Sequence, residues 1–254
     1  MEDDTMERNL TEEKTIEIAI PLVKEIANKI AQKKYEELEE VVELKHFSTE
    51  HLKHFIEGQM QENDISHLDQ MEEEDLIAEN ICCEEIYEDE KGFRMSYEFS
   101  EDKEACGIFL ELEFFYASND EVKARILITE DMAVIIVKDD LKKIVNLISD
   151  KKYEEVAQIA EMGELTSETM KEIIEGHLEI NDLPDHMDHF SDKKYYDMYD
   201  EEVSAGIYDN DKGIWIEYHF SAEGECTDLT LQVDFLFTDD RNVCKPVICG
   251  FDMM

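Results

Sequence analysis

Residues 33–65, KKYEELEEVVELKHFSTEHLKHFIEGQMQENDI, align without a gap on residues 151–183, KKYEEVAQIAEMGELTSETMKEIIEGHLEINDL, at an offset of 118. The shared positions include Lys33 to Glu37 with Lys151 to Glu155, Glu57-Gly58 with Glu175-Gly176, and Asn63-Asp64 with Asn181-Asp182. A second block, at an offset of 121, pairs Ile86-Tyr87 with Ile207-Tyr208 and Lys91-Gly92-Phe93 with Lys212-Gly213-Ile214. It also pairs Tyr97, Phe99 and Ser100 with Tyr218, Phe220 and Ser221. A register held over two blocks predicts a duplication, and its period is that of a small domain rather than of a solenoid unit. The expected domains are 12–132 and 133–254.

Each copy should begin with helices. Val23, Ile26, Ala27 and Ile30 keep helical spacing, as do Leu141, Ile144, Val145 and Ile148, and Pro21 suits a first helical turn. A second helix is expected over Tyr35 to Leu44 and Tyr153 to Met162. A third opens at Ser48 or Thr166, whose hydroxyls can cap free amides, and stops near the Asn-Asp pairs, which favour turns. Strands follow. Phe93, Met95, Tyr97 and Phe99 alternate, as do Ile108, Leu110, Leu112, Phe114 and Tyr116. The second copy repeats this with Ile214, Ile216, Tyr218 and Phe220, then Leu229, Leu231, Val233, Phe235 and Phe237. Turn-rich residues 88–92 and 209–213 precede these runs, and last strands are expected at Val122 to Ile128 and Val243 to Cys249. Period two on successive runs predicts an antiparallel sheet with one buried face, covered by the helices. The fold class is α+β: two tandem ααα-ββββ domains, each with helices packed on one face of a curved antiparallel sheet.

In element order this resembles the NTF2-like and cystatin-like α+β domains. The stretch Ala222-Glu223-Gly224-Glu225-Cys226-Thr227-Asp228-Leu229-Thr230-Leu231 is similar to a motif of an uncharacterised bacterial family of small α+β domains. The first copy departs from that motif, with Lys103 for Gly224 and Gly107 for Asp228. The resemblance implies a fold and no activity.

Charge is the other strong signal. The chain has 67 acidic and 24 basic residues and a formal charge of −43 in 254 residues. Divided at Met132, the nets are −25 and −18, so both copies are acidic. Such a field repels nucleic acid and anionic membranes and attracts basic proteins. No run approaches the roughly 18 apolar residues of a membrane span, and the first twenty residues carry acids where a signal peptide carries cations, so a cytoplasmic protein is expected. None of the six cysteines recurs in the other copy, so reduced thiols are expected rather than a disulfide framework.

Where acids and aromatics coincide, a basic protein partner is expected to bind. The candidates are Glu72, Glu73, Glu74 and Asp75, with Tyr195, Tyr196, Asp197, Tyr199, Asp200, Glu201 and Glu202. Rings supply anchoring area and carboxylates steer the encounter. Asp185, His186, Asp188 and His189 form the densest set of potential metal ligands. A solvated loop is the preferred reading there, so neither metal nor cofactor is expected. Trp215, Glu217 and His219 share the outer face of one strand, against Arg94, Ser96 and Glu98 in the first copy, and a Glu-His pair suits acid-base work. Mixed polar residues are equally ordinary on an exposed sheet face. Glu57-Gly58 and Glu175-Gly176 suggest close helix packing at the glycine.

The expected function is a non-enzymatic acidic module, in its most concrete form an immunity-type inhibitor of a basic, nuclease-like toxin. The alternatives are an NTF2-like small-molecule binder or enzyme with a pocket between helices and sheet, and an acid-rich protein whose charge is a trait of its lineage. An intramolecular pseudo-dimer of the two copies is compatible with each.

Overall fold

The computed structural model describes residues 10–71, 80–89, 91–117, 121–190, 203–208, 212–238 and 244–253. The chain divides into two compact units, Met1–Ile128 and Thr129–Met254. Among the described residues no helix is long and apolar enough to cross a membrane.

The first unit opens with α1 (Glu12–Ala31), capped where the Thr11 side chain accepts a hydrogen bond from Lys14 N. Pro21 lies inside this helix rather than in its first turn, on its exposed face. Val23, Ile26, Ala27 and Ile30 form the buried stripe. The helix ends at Lys33, a non-glycine residue with φ of 58°, where Lys33 N and Lys34 N return to the Ile30 and Lys29 carbonyls.

The expected second helix is only partly helical. Tyr35–Glu40 is a 3-10 helix burying Tyr35 and Leu38, which its three-residue period brings to one side. The β-branched run that follows prefers an extended backbone. Val42–Leu44 is therefore strand β1, paired in parallel with β5 (Val122–Ile126). Helix α2 (Thr49–Glu62) has a capping box between Ser48 and His51. Strands β2 (Ile81–Ile86), β3 (Gly92–Glu101) and β4 (Glu104–Tyr116) complete a five-stranded sheet in the order β1-β5-β4-β3-β2. Its buried face is dense: Phe93 stacks on Phe114 with centroids 5.0 Å apart, and Tyr97 meets Phe99 edge-on.

The second unit has α3 (Glu130–Ser149), capped by Thr129, then the short α4 (Tyr153–Ile159) and α5 (Ser167–Ile180), capped by Thr166. Here too the expected second helix stops early. Glu161 makes a single parallel bridge to Val247. The sheet is antiparallel, in the order β6 (Val203–Ile207), β7 (Gly213–Ala222), β8 (Glu225–Phe237), β9 (Cys244–Met253). Tyr218 lies between Phe190, stacked at 5.6 Å, and Phe220, edge-on at 5.3 Å.

In each unit the segment after the capped helix is fixed by side chains. Asn28 donates to Met71 O at 3.0 Å and accepts from Met71 N at 2.7 Å, and Asn146 accepts from Phe190 N at 2.8 Å. Carboxylates hold the tight turns between the two long strands. Asp69 accepts from Lys103 N at 2.7 Å, and Asp188 accepts from Glu223 N at 3.2 Å and Gly224 N at 2.8 Å. Both turn residues in each case, Asp102-Lys103 and Glu223-Gly224, have positive φ, the geometry of the favoured two-residue hairpin loop.

Two outcomes follow from this arrangement. Asp188→Ala should lower unfolding stability in a urea titration by about 1–2 kcal/mol, because two amides lose a charged acceptor. An unchanged midpoint would show that the turn holds itself. Residues 1–128 and 129–254, produced separately, should each give a dispersed amide spectrum, since each unit has its own buried core. A collapsed spectrum for both halves would show a shared core.

Candidate functional site

The residues expected to bind a basic partner, Glu72, Glu73, Glu74 and Asp75 with Tyr195, Tyr196, Asp197, Tyr199, Asp200, Glu201 and Glu202, all lie outside the described residues. The potential metal ligands are described, and they diverge. Asp185 pairs with Lys151 Nζ at 2.5 Å, and His189 Nε2 lies 2.9 Å from Asp150 Oδ1. Asp188 is taken up by the hairpin turn, and His186 shares no ligand set with it. Among the described residues no group of three or more His, Cys, Asp or Glu is close enough to hold a metal ion.

The outer sheet face of the first unit is an ion network. Arg125 reaches Glu113 at 2.7 Å and Glu43 at 3.1 Å, its guanidinium 5.1 Å above the Phe115 ring. Tyr87 donates its hydroxyl to Glu113 at 2.7 Å, while Arg94 lies 3.5 Å from Glu111. These are cross-strand neighbours on adjacent rungs, as β-pairing dictates.

On the second unit's outer face, Tyr208 donates to Asp234 at 2.7 Å; burial first, and then this bond, push its hydroxyl up to about 12. Glu217 and His219 do not form a proton-sharing pair. Glu217 accepts from Gln232 at 3.1 Å, and His219 Nδ1 lies 2.9 Å from Thr230 Oγ1. Each is engaged by the strand opposite. The Trp215 indole lies over Gly206, where an added Cβ would come within 2.4 Å of the ring, so β6 needs glycine at that rung. Beneath the entry to β8, Asp228 of the motif stretch lies 3.2 Å from Nε2 of the buried His177 on α5. The thiols are ordinary: burial pushes both Cys244 and Cys249 up to about 11, and all six cysteines are free.

A concave site lies elsewhere, at the repeated Lys-Lys-Tyr-Glu-Glu sequence. In the second unit an open groove of about 560 Å³ is lined by Lys151, Lys152, Tyr153, Glu154 and Glu155 on one side. Gln158 adds to that side, and Ser167, Glu168 and Lys171 from the start of α5 form the other. Tyr153 is 5% exposed and its hydroxyl has no hydrogen-bond partner. Burial, then Glu175 and Asp185, push that hydroxyl up to about 12. Glu175 is thus near the groove's tyrosine. Its neighbour Gly176 is not a packing glycine, because an added Cβ would meet nothing within 4 Å. The groove escaped attention in the sequence because its residues read as the start of the expected second helix and the first turn of the third. The usable signal was the recurrence of Lys-Lys-Tyr-Glu-Glu at 33–37 and 151–155.

Residues 145–246, most of the second unit from within α3 into β9, match the family model of a domain of unknown function, DUF7668. No curated protein and no solved structure matches the chain.

Proposed function

We propose that the chain is a tandem duplication of one α+β domain that serves as a non-enzymatic, acidic protein-binding module for a basic partner in the cytoplasm. Support for the duplication comes from devices that recur at spacings of 118 to 121 residues. Lys33 and Lys151 both close a helix with φ of 58°. Asn28 and Asn146 tie down the same segment, and Asp69 and Asp188 the same turn. Tyr87–Glu113 and Tyr208–Asp234 span the same rung at 2.7 Å. The NTF2-like or cystatin-like element order belongs to this proposal.

The observation that carries the binding reading is the charge of −43, with 67 acids against 24 bases. Most carboxylates can find no cation within the chain, and a basic protein supplies them. An immunity-type inhibitor of a basic, nuclease-like toxin is the most concrete version: the module occupies a surface shaped for phosphate. A small-molecule reading needs space between helices and sheet. In both units that layer is taken up by buried side chains, among them Ile26, Phe93 and Phe114 in the first and Ile144, Tyr218 and Phe235 in the second, which favours the binding module.

Captured at low salt from its native host, the partner should be basic and bind with a nanomolar constant, roughly −12 kcal/mol. Its association rate should fall steeply with ionic strength, since steering raises such rates about 10- to 1,000-fold. Tyr195→Ala, Tyr196→Ala or Tyr199→Ala should cost on the order of 1–2 kcal/mol for at least one ring. Binding that is weak for every cationic candidate, and indifferent to these changes, would sink the reading.

A further inference from the structure

The two sheets differ in how far the last strand accompanies the long strand beside it. In the second unit β9 follows β8 down to its start, with Phe251 opposite Leu231, Asp252 opposite Thr230 and Met253 opposite Leu229. In the first unit β5 pairs with β4 only from Tyr116 to Leu112, and one further bond, from Leu127 N to Glu111 O at 3.0 Å, ends the ladder. The chain then reaches the cap of α3 at Thr129. At the offset of 121, Ile108, Phe109 and Leu110 correspond to Leu229, Thr230 and Leu231. Among the described residues, no strand lies beside those three rungs of β4 on this side.

The neighbouring bonds fix where the backbone of Phe109 points. Glu98 is its partner on β3, yet Glu98 N donates to Asn80 O at 2.9 Å, on the β2 side. The two residues thus form the kind of antiparallel pair whose amides and carbonyls turn away from each other. The amide and carbonyl of Phe109 are left at the edge of β4, as Glu111 O is where Leu127 reaches it. Exposure gives a second, independent observation. Thr230, in the same place, faces Asp252 and is 2% exposed, whereas Phe109 is 48% exposed. An unpaired edge is a template for another strand, and sheets guard against this with bulges and charges. The edge strand β2 has both, a bulge between Cys83 and Glu85 and the acids Glu84 and Glu85. Residues 107–110 of β4, Gly-Ile-Phe-Leu, have no charge and no proline.

We propose that this edge of β4 takes an extended segment of the basic partner, antiparallel to β4, in the register that Phe251, Asp252 and Met253 hold against β8. The proposal rests on the basic-partner reading and assigns this contact to the first unit alone, because the second fills the same edge with its own chain. Main-chain pairing supplies the attachment, and alternate side chains supply the choice of segment. The middle residue of the segment exchanges both main-chain bonds with Phe109, and its side chain emerges on the outer sheet face beside the Phe109 ring. Glu98 lies across from that ring and Glu111 two residues along the strand. A ring flanked by carboxylates calls for a cation, and the planar guanidinium stacks on aromatic faces, so arginine suits the position best.

The test titrates the full chain with acetyl-Lys-Val-Arg-Val-Lys-amide at about physiological salt, where screening reaches over roughly 8 Å, and follows backbone amide shifts and hydrogen exchange. Saturable shifts are expected over residues 107–111, with slowed exchange of the Phe109 amide, and not over 229–232. An analogue N-methylated at its arginine keeps every charge but cannot donate to Phe109 O, and should bind about tenfold more weakly. Phe109→Thr, which installs the second unit's residue, should weaken the parent peptide about threefold. Equal binding of the two peptides, or shifts confined to other acidic segments, would overturn the edge pairing while leaving the basic-partner reading intact. An analogue with Glu in place of Lys and Arg that binds residues 107–111 equally well would keep the edge and overturn its basic occupant. The absence of any saturable shift over 107–111 would overturn the proposal outright.

Discussion

Too few cations are available to this chain: 24 basic residues face 67 carboxylates. Where each cation is used therefore decides which parts of the surface are electrostatically closed. The first unit uses Arg125 on its outer sheet face, bridging Glu113 and Glu43, and Lys29 at the end of α1, holding Glu37. The second unit uses Lys151 and Lys152 on Asp185 and Asp150, whose carboxyls those hydrogen bonds hold below their usual values. The stability these two acids contribute is present above their unfolded-state values, near about pH 4, and is lost as pH falls through the lower folded-state values. The carboxylates in excess of the 24 bases repel one another, and burial of apolar side chains must offset that repulsion.

That offset comes from two separate cores. In each unit one sheet face is paved with aromatic and branched residues and covered by helices, and asparagine and aspartate side chains tie the connecting segment and the hairpin turn to it. With the framework fixed this way, exposed positions are free to change. On the outer sheet face the ion network of Arg94, Glu111 and Arg125 in one unit stands against Trp215, Gln232 and Pro246 in the other.

Much of this was legible in sequence. Period-two alternation located β3, β4, β7 and β8, whose inward residues are buried as expected except Tyr116 and Phe237, half-buried at the strand ends, and the hydroxyl caps located α2 and α5. The short second helix was misjudged because Val41-Val42 and Leu44 also fit helical spacing. Parallel pairing with β5 decided the matter, and nothing local announces a long-range partner. Pro21 marked no helix start because its missing amide falls on an exposed face. The loop histidines looked like ligands because sequence shows proximity but not direction, and the backbone sends Asp185, Asp188 and His189 to separate partners. Gly206 is explained only by the indole across the strand.

The surface carries unbalanced negative charge, 67 acids against 24 bases, which under the proposed function a basic partner neutralises. Thermal unfolding of the free chain at neutral pH, over salt from about 20 mM to about 500 mM, examines it most directly, because screening weakens repulsion and attraction alike and the sign reports which dominates. The melting temperature should rise by several degrees as salt increases. A melting temperature that falls with salt would contradict the account, since it would mean that internal ion pairs already balance the carboxylates.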